Sequence, residues 1–341
     1  MSSSPQAQAA SPGIVFDTLQ AYQRSVALRG AIDLDLFTAI ADGNKSLSAI
    51  ATHIKASEKG TRILCDYLTM LGFLVKTGVK QGGEYSLTPD SAAFLNRHSP
   101  AYMGTMARFL MNPKIAGLLE DITGVIRHGG ALPSEDGVLE PDNAIWVEFA
   151  RSMAPMMQMP AQSIAQMFAG SKPIQVLDIS AGHGLYGIAF AKLNPNASVT
   201  GLDWANVLEV AKENARKAGV SDRYSTIAGS AFAVDLGSGY DIILIPNFLH
   251  HFDVATNEKL LRKVHAALAP GGIAVTPDFI PNEDRISPPR DAMFSLQMLT
   301  TPAGDAYTFS ELERMFRNAG FARNEMRELP PVGQRLVVSQ K

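Results

Sequence analysis

An apolar run that ends in a carboxylate and a loop of small residues occupies positions 176–184. Such a segment predicts a buried strand, a tight turn that needs glycine, and the first turn of a helix. A second apolar run ends at Asp203, where a carboxylate can bind the hydroxyl groups of a ribose. A glycine loop after one strand and an acid at the end of the next are together typical of nucleotide-binding α/β folds.

Strand-like and helix-like segments alternate beyond residue 172. Apolar runs of strand length are separated by amphipathic segments of helix length. The predicted elements are, in order, a strand at 174–179, a helix at 185–193, a strand at 198–202, a helix at 207–218, strands at 224–228 and 240–246, a helix at 257–268 and a strand at 272–278. We therefore predict an α/β domain over 173–341, with a Rossmann-like, mostly parallel sheet and helices on both of its faces.

Residues 13–100 predict a separate, mainly helical domain. Its signals are hydrophobic periodicity and serines placed at helix starts. The predicted elements are helix with one buried face over 14–40, a short helix capped by Ser46, a longer helix that is capped by Ser57 and reaches residue 71, and two short strands near 73–76 and 85–87. This order is that of a winged-helix fold.

Winged-helix domains most often bind DNA, but the longer helix argues against that function here. It carries Lys59 and Arg62 beside Asp66 on a mostly apolar remainder, whereas phosphate contacts need a basic face. The whole chain has 30 Lys and Arg against 33 Asp and Glu, a formal net charge of −3. We predict that neither nucleic acid nor a membrane is a partner. A non-enzymatic DNA-binding regulator stays open as an alternative.

The features that bear on cellular location favour the cytoplasm. Residues 1–12 are rich in Ser, Ala and Gln and carry no basic or apolar stretch, which predicts a disordered, untargeted tail. No apolar run approaches the ~20 residues that span a bilayer. Cys65 is the single cysteine, so no internal disulfide and no cysteine-based zinc site can form.

Residues 101–172 predict a helical linker that also lines the substrate site. A loop from Gly129 to Pro141 interrupts it, and its last helix is rich in methionine, with Met153, Met156, Met157, Met159 and Met167 close to Phe149 and Phe168. Methionine is common in packed helix interfaces and also at adaptable binding surfaces. Either a helix–helix interface or a flat apolar substrate therefore explains this composition.

The residues of the glycine loop leave the choice between two cofactors open. Asp178 lies directly before it, and a carboxylate there suits the cationic methionine end of S-adenosylmethionine better than a diphosphate. The spacing Gly182-x-Gly184-x-x-Gly187 nevertheless matches the loop that admits a dinucleotide pyrophosphate. An NAD-dependent enzyme remains an alternative on these residues alone.

The two stretches that follow the third and fourth strands narrow the choice. The first is Gly229-Ser230-Ala231-Phe232, and the second is Pro246-Asn247-Phe248-Leu249-His250-His251-Phe252. With them the chain resembles class I S-adenosylmethionine-dependent O-methyltransferases of the plant caffeate and flavonoid and bacterial polyketide type, the hydroxyindole O-methyltransferase-like group. The resemblance covers nearly the whole chain, and it implies a homodimer formed through the N-terminal domain.

The resemblance also implies a cofactor site. Ser180 and Ala181 stand where the family has glycines, and Ser230 stands where it has an acid, so the adenine amine is expected to bind a hydroxyl or a backbone carbonyl instead. The residues expected to hold S-adenosylmethionine, or its product S-adenosylhomocysteine, are Asp178, Ser180, Gly182, Gly184, Asp203, Trp204, Ser230, Ala231, Phe232 and Asn247.

The family's general base falls on His250, and the first of two acids that orient it falls on Asp278. The second acid falls close to Ala306 and is missing unless Asp305 substitutes. His251 is expected to pack or cap, and His183 to be a solvated side chain of the loop. The residues expected to line the acceptor site are Phe149, Met153, Met157, Phe248, Met293, Phe294 and Met298.

The function that the resemblance implies is methyl transfer to a hydroxyl group, expected to be phenolic, on a small aromatic secondary metabolite. The remaining histidines show no metal spacing, so no metal is predicted, unlike in the shorter magnesium-dependent catechol methyltransferases. A family member that has lost methyl transfer and decarboxylates or hydroxylates its substrate is a further alternative.

Overall fold

The computed structural model describes residues 10–78, 83–132, 143–330 and 333–341. The chain forms two compact units, one ending at Met111 and one beginning at Asn112. Most of the predicted tail at 1–12 and of the predicted loop at 129–141 lies outside the described residues. None of the helices in the described ranges is long and apolar enough to cross a bilayer.

The N-terminal unit has the predicted winged-helix order. Its elements are α1 Gly13–Gln20, α2 Tyr22–Asp33, α3 Leu36–Ala41, α4 Leu47–His53, α5 Glu58–Met70, β1 Leu74–Thr77, β2 Glu84–Leu87, α6 Pro89–Phe94 and α7 Met106–Leu110. Strands β1 and β2 pair antiparallel. The core of the unit includes Phe37, Leu68 and Tyr85, all at most 1% exposed.

The two predicted serine caps are confirmed. The hydroxyl of Ser46 accepts the backbone N–H of Ala49 at 3.3 Å. The hydroxyl of Ser57 accepts the N–H of Gly60 at 3.1 Å. Each serine satisfies a donor that the first turn of a helix would otherwise leave open.

Within a single chain, the helix predicted over 14–40 with one buried face differs from the structure in two respects. It is divided into α1, α2 and α3, and Asp35, between the last two, has φ +57°, a left-handed conformation that an α-helix cannot continue through. Its first apolar residues are also not buried, since Ile14, Phe16, Leu19 and Tyr22 are each at least 59% exposed. Helical periodicity predicts an apolar face but does not tell what covers it.

The C-terminal unit is the predicted α/β fold. Its elements are α8 Pro113–Gly117, α9 Ile122–His128, α10 Ala144–Phe168, β3 Ile174–Ile179, α11 Leu185–Leu193, β4 Ala197–Asp203, α12 Ala205–Lys217, β5 Tyr224–Ala228, β6 Tyr240–Leu244, α13 Val254–Ala267, β7 Leu268–Asp278, α14 Pro289–Met298, α15 Phe309–Asn318, β8 Arg323–Leu329 and β9 Gln334–Gln340. The sheet has seven strands in the order β5-β4-β3-β6-β7-β9-β8. All neighbours pair parallel except that β9 is antiparallel to both β7 and β8.

Alternate residues of the central strands enter two different cores, one on each face of the sheet. Ile243 and Ile245 pack with residues of α13 and α15, whereas Ile242 and Leu244 pack with residues of α10, α11 and α12. Successive side chains of a strand point to opposite faces, so the prediction of helices on both faces is confirmed. Because β3, β4, β5 and β6 run parallel, their carboxyl ends lie at one edge of the sheet, where open α/β folds bind ligands.

Candidate active site

The loop after β3 takes the conformation that its small residues allow. Ser180, Gly182 and Gly184 have φ values of +56°, +56° and +74°, a region that glycine enters without strain. Gly184 is the residue that precedes α11, and its N–H donates to the carbonyl oxygen of Ala181 at 2.7 Å. The positive φ of Ser180 explains why glycine is usual at that position in the family.

Asp203 at the end of β4 is bonded to this loop. Its Oδ2 accepts the N–H of Gly182 at 2.8 Å, and its Oδ1 accepts the N–H of Trp204 at 2.7 Å. Burial raises the pKa of Asp203 to about 6, against the opposing effect of these two N–H donors. The carboxylate predicted to bind a ribose therefore also fixes the glycine loop to the end of β4.

Asp178 at the end of β3 is fully buried. Its Oδ2 accepts the N–H of Gly187 at 2.9 Å, and its Oδ1 has no hydrogen-bond partner among the described residues. Burial raises the pKa of Asp178 to about 8, the Gly187 N–H opposes this rise, and the nearby Asp203 adds to it. An unpartnered buried carboxyl oxygen beside a glycine loop fits the ammonium group expected of S-adenosylmethionine, because a cation there would favour the ionised form.

The segment expected to contact adenine is fixed by contacts that the sequence did not reveal. The N–H of Gly229 donates to the carbonyl oxygen of Asp203 at 2.9 Å, and the hydroxyl of Ser230 accepts the N–H of Phe232 at 3.3 Å. Lys263 of α13 donates its ammonium group to the carbonyl oxygens of Ala231, Phe232 and Val234, each at 2.9 Å. Lys263 thus holds this segment in place, a role that only the folded structure reveals.

His250, in a short 3-10 turn at Leu249–His251 beyond β6, is brought to Asp278 at the end of β7. Nδ1 of His250 lies 2.6 Å from Oδ1 of Asp278, and the residues are only 4% and 3% exposed. The same oxygen accepts the N–H of Phe279 at 2.8 Å. In the tautomer in which Nδ1 donates to this carboxylate, Nε2 is left as an acceptor.

Aromatic rings surround this pair. The ring of Phe294 meets His250 edge-on at 4.8 Å and stacks on Phe279 at 3.9 Å. His251 lies 4.3 Å from His250 and meets Trp146 edge-on at 6.0 Å. Burial, and then the adjacent His250, hold the pKa of His251 well below its usual value. His251 is therefore a neutral ring at neutral pH.

Asp305 does not present its carboxylate to His250. Its backbone N–H donates to the carbonyl oxygen of His250 at 3.0 Å, but its Oδ2 lies 3.3 Å from Nη1 of Arg285. Ala306, at the position where the family has its second acid, is fully buried. The second acid of the plant-like arrangement is therefore not supplied by either residue.

The residues predicted to line the acceptor site are dispersed in the C-terminal unit. Met153, Met157 and Met298 are buried, and Sδ of Met157 lies 3.6 Å from Nδ2 of Asn247. Phe294 packs against His250, and Phe149 packs against Trp146. Phe248 packs against Phe232 and Phe252. Met293 lies on the surface and is 69% exposed. Trp204 packs with Ala150, Val207 and Val210.

The expectation that His183 is solvated is wrong. It is 5% exposed and stacks on Tyr186 with a ring separation of 6.2 Å. Its Nδ1 accepts the N–H of Leu185 at 3.1 Å, and its carbonyl oxygen accepts a bond from the Asn214 side chain at 2.8 Å. Burial lowers the pKa of His183 to about 4. A histidine in a glycine loop looks exposed in the sequence, but here the first turn of α11 needs an acceptor for its N–H groups.

Among the described residues, no group of three or more His, Cys, Asp or Glu side chains is arranged to hold a metal ion.

The family comparison covers both units. Residues 137–322 match the O-methyltransferase domain, and residues 16–97 match the O-methyltransferase dimerisation domain. One similar protein is the 3-hydroxy-5-methyl-1-naphthoate 3-O-methyltransferase of Streptomyces sahachiroi, which is 26% identical over 91% of this chain and 89% of its own. Another is the tetracenomycin polyketide synthesis 8-O-methyl transferase of Streptomyces glaucescens, which is 27% identical over 93% of each chain.

Solved structures agree with this assignment. A proposed O-methyltransferase from Nostoc punctiforme is 52% identical, superposes with a TM-score of 0.92, and covers 98% of this chain and 100% of its own. Human N-acetylserotonin methyltransferase in complex with S-adenosylmethionine has a TM-score of 0.85 over 99% of both chains at 19% identity, a likeness of fold. The chain belongs to the O-methyltransferase family and is an S-adenosylmethionine-dependent O-methyltransferase.

Proposed function

We propose that this enzyme methylates a phenolic hydroxyl group of a small aromatic secondary metabolite, with His250 as general base and Asp278 as the residue that orients it. The buried hydrogen bond of 2.6 Å between them is the observation that carries the proposal. The two Streptomyces relatives are named for methylation of hydroxyl groups on a naphthoate and on a polyketide, which supports an aromatic acceptor.

The chain's residues fit a role for each part of the cofactor. S-adenosylmethionine, when bound, supplies a methyl group on a positively charged sulfur that is open to attack by an oxygen nucleophile. Asp178 would hold the ammonium group through its unpartnered oxygen, Asp203 the ribose hydroxyls, and the loop at Gly182 and Gly184 would allow close approach to the backbone.

His250 can remove the proton that makes the acceptor unreactive. A phenol has a pKa near 10, so its neutral hydroxyl is a poor nucleophile at pH 7. With Nδ1 donating to Asp278, Nε2 can accept the hydroxyl proton, and Asp278 then stabilises the imidazolium. Phe279 and Phe294, packed around the ring, exclude water and offer flat surfaces to an aromatic acceptor.

The first test of this proposal is transfer of an isotopically labelled methyl group to flat phenols. The enzyme is incubated with S-adenosylmethionine labelled in its methyl group and with hydroxylated naphthoates, and the products are analysed by mass spectrometry and NMR. We expect the label on a phenolic oxygen, and no transfer to control compounds in which that hydroxyl is already an ether. Label on carbon or nitrogen only, or decarboxylation without label, would contradict the proposal and favour the alternative in which O-methylation has been lost.

We further propose that the N-terminal unit forms a homodimer through α1 and the start of α2. The apolar residues Ile14, Phe16, Leu19 and Tyr22 are exposed within one chain, and a patch of this kind marks an interaction site. The match of residues 16–97 to a dimerisation domain supports a second copy as the partner.

Phe16→Glu combined with Leu19→Glu is expected to convert the dimer to monomer. The double change places two charges in an apolar interface at a cost of several kcal/mol, so sedimentation velocity at micromolar concentration should show the mass of one chain. Met70→Glu, at a residue that is 75% exposed on α5, serves as the control and should leave the dimer intact. A double variant that sediments like the unaltered protein would place the interface elsewhere.

The structure gives one reason to maintain the prediction that nucleic acid is not a partner. Asp66 of α5 accepts bonds from Lys76 at 2.6 Å and from Arg62 at 3.1 Å, and it also accepts one from the hydroxyl of Tyr85. Two of the cations of this winged helix are thus already paired with a carboxylate instead of being available to phosphates.

A further inference from the structure

The phenol ring of Tyr224 lies against three glycines that surround the cofactor loop. Tyr224 begins β5, is paired with Val199 of β4, and is 9% exposed. A Cβ on Gly201 would lie 2.4 Å from the Tyr224 hydroxyl oxygen, and one on Gly184 would lie 2.9 Å from it. A Cβ on Gly187 would lie 3.4 Å from Cε2 of the same ring. Tyr224 therefore fills the space beside Gly201 and part of that beside Gly184, whereas a Cβ on Gly187 would first meet Cγ1 of Val199 at 2.5 Å.

These glycines lie at the points where the loop is held. The N–H of Gly187 donates to Asp178, and Gly184 precedes α11. Gly201 is paired with Asp178 across β3 and β4. A change in the size of the side chain at 224 should therefore move the loop and the Asp178 carboxylate together.

The hydroxyl of Tyr224 has no hydrogen-bond partner among the described residues. Burial raises its pKa well above 10, and Asp178 and Asp203 add to this effect, so the hydroxyl stays neutral. An unpartnered buried hydroxyl destabilises a fold, and its presence calls for a reason other than stability.

We propose that Tyr224 is a positioning residue of the cofactor site, whose ring and hydroxyl set the separation between β4 and the glycine loop that follows Asp178. The inference rests on the family's use of S-adenosylmethionine and not on the proposed acceptor or on His250. The proposal implies that the Tyr224 side chain excludes a Cβ at position 201. At position 184 a Cβ is excluded by Tyr224 and also for a second reason. Gly184 has φ +74°, and a Cβ there would also lie 2.9 Å from Cβ of Ala211.

The test is a comparison of double variants by calorimetric titration with S-adenosylhomocysteine. Gly201→Ala should weaken binding by about tenfold or more, and Tyr224→Phe in the same chain should restore about tenfold of that loss, since coupled residues in contact show effects of this size. Gly184→Ala should weaken binding too, but Tyr224→Phe should not restore it, because the backbone strain and the contact with Ala211 remain.

Tyr224→Phe and Tyr224→Leu in the unaltered background keep the test decisive if Gly201→Ala does not fold. Tyr224→Phe should melt no lower than the unaltered protein, since it removes only an unpartnered hydroxyl. Tyr224→Leu should weaken S-adenosylhomocysteine binding at least several-fold. Equal rescue of both glycine variants, rescue of neither, or full cofactor affinity in Tyr224→Leu would overturn the proposal.

Discussion

Replacing His250 by Ala is expected to lower kcat by a factor of about 10²–10⁴, the usual contribution of a positioned general base. The loss arises because no other side chain in the described ranges combines a bond to Asp278 with a free imidazole nitrogen. S-adenosylhomocysteine binding should change little, since the carboxylates expected to hold the cofactor lie at the ends of β3 and β4. Steady-state kinetics and calorimetry on the same preparation separate the two effects.

His98→Gln is a matched control for this variant. His98 has a side chain that is 66% exposed and lies next to Asp42, so it repeats the pairing of a histidine with a carboxylate but in the N-terminal unit. Its kcat should equal that of the unaltered enzyme. If His250→Ala retained full activity, the base would have to be another group.

The second large effect is expected at Asp178, and it concerns cofactor affinity. The Asp178 pKa of about 8 in the unliganded protein means that the carboxyl group is mostly protonated at pH 7. A bound ammonium group favours the ionised form, so binding below pH 8 must release a proton. The affinity for S-adenosylhomocysteine should therefore rise by up to about tenfold per pH unit between pH 6.5 and pH 8.

Asp178→Asn is expected to remove most of this affinity while making the unliganded protein more stable at pH 8. Loss of a buried charged hydrogen bond should weaken binding by roughly 10–100-fold, although the amide oxygen can still accept the Gly187 N–H. Burial raises the pKa of Asp178 from the ordinary 3.8 to about 8 in the folded chain. Its contribution to the free energy of unfolding is therefore fully present below pH 4 and is lost as the pH rises through 8. Asn cannot ionise and so avoids that loss.

Thermal denaturation across pH and calorimetric titration measure both consequences of Asp178→Asn. Asp241→Asn is the control, because Asp241 accepts the N–H of Gln175 at 2.8 Å near the start of β3, away from the ligand edge. Affinity that is independent of pH in the unaltered protein, or tight binding by Asp178→Asn, would show that the carboxylate does not hold the ammonium group.

The elements around the glycine loop could be predicted closely because their signals are local. The predicted bounds of β3, α11 and β5 are those observed, since apolar runs and loop glycines mark their ends. Strand β6 ends at Leu244, two residues before the predicted end at 246. Strands β8 and β9 were not predicted, although β9 contains the short apolar run Leu336-Val337-Val338. Residues 323–328 of β8, an edge strand, are mostly polar and show no clean alternation.

The candidate site was predictable only where a motif carries it. His250 and Asp278 were assigned through the resemblance, and the structure places them in contact. Lys263 and Tyr224 were missed because their roles come from contacts between distant segments, with the carbonyl oxygens of 231–234 and with three glycines, respectively. Met293 was assigned by pattern to the acceptor site, but the helical face on which it lies leaves it exposed.

The proposed role of His250 is tested most directly by the rates of His250→Ala and the unaltered enzyme with a series of phenols of decreasing pKa. A general base matters most for a hydroxyl that holds its proton and least for a phenol that is already ionised at the assay pH. We predict that the deficit of His250→Ala shrinks steadily as the acceptor becomes more acidic, and nearly disappears for nitrophenols. A deficit of the same size across the whole series would contradict the account, because His250 would then orient the acceptor without accepting its proton.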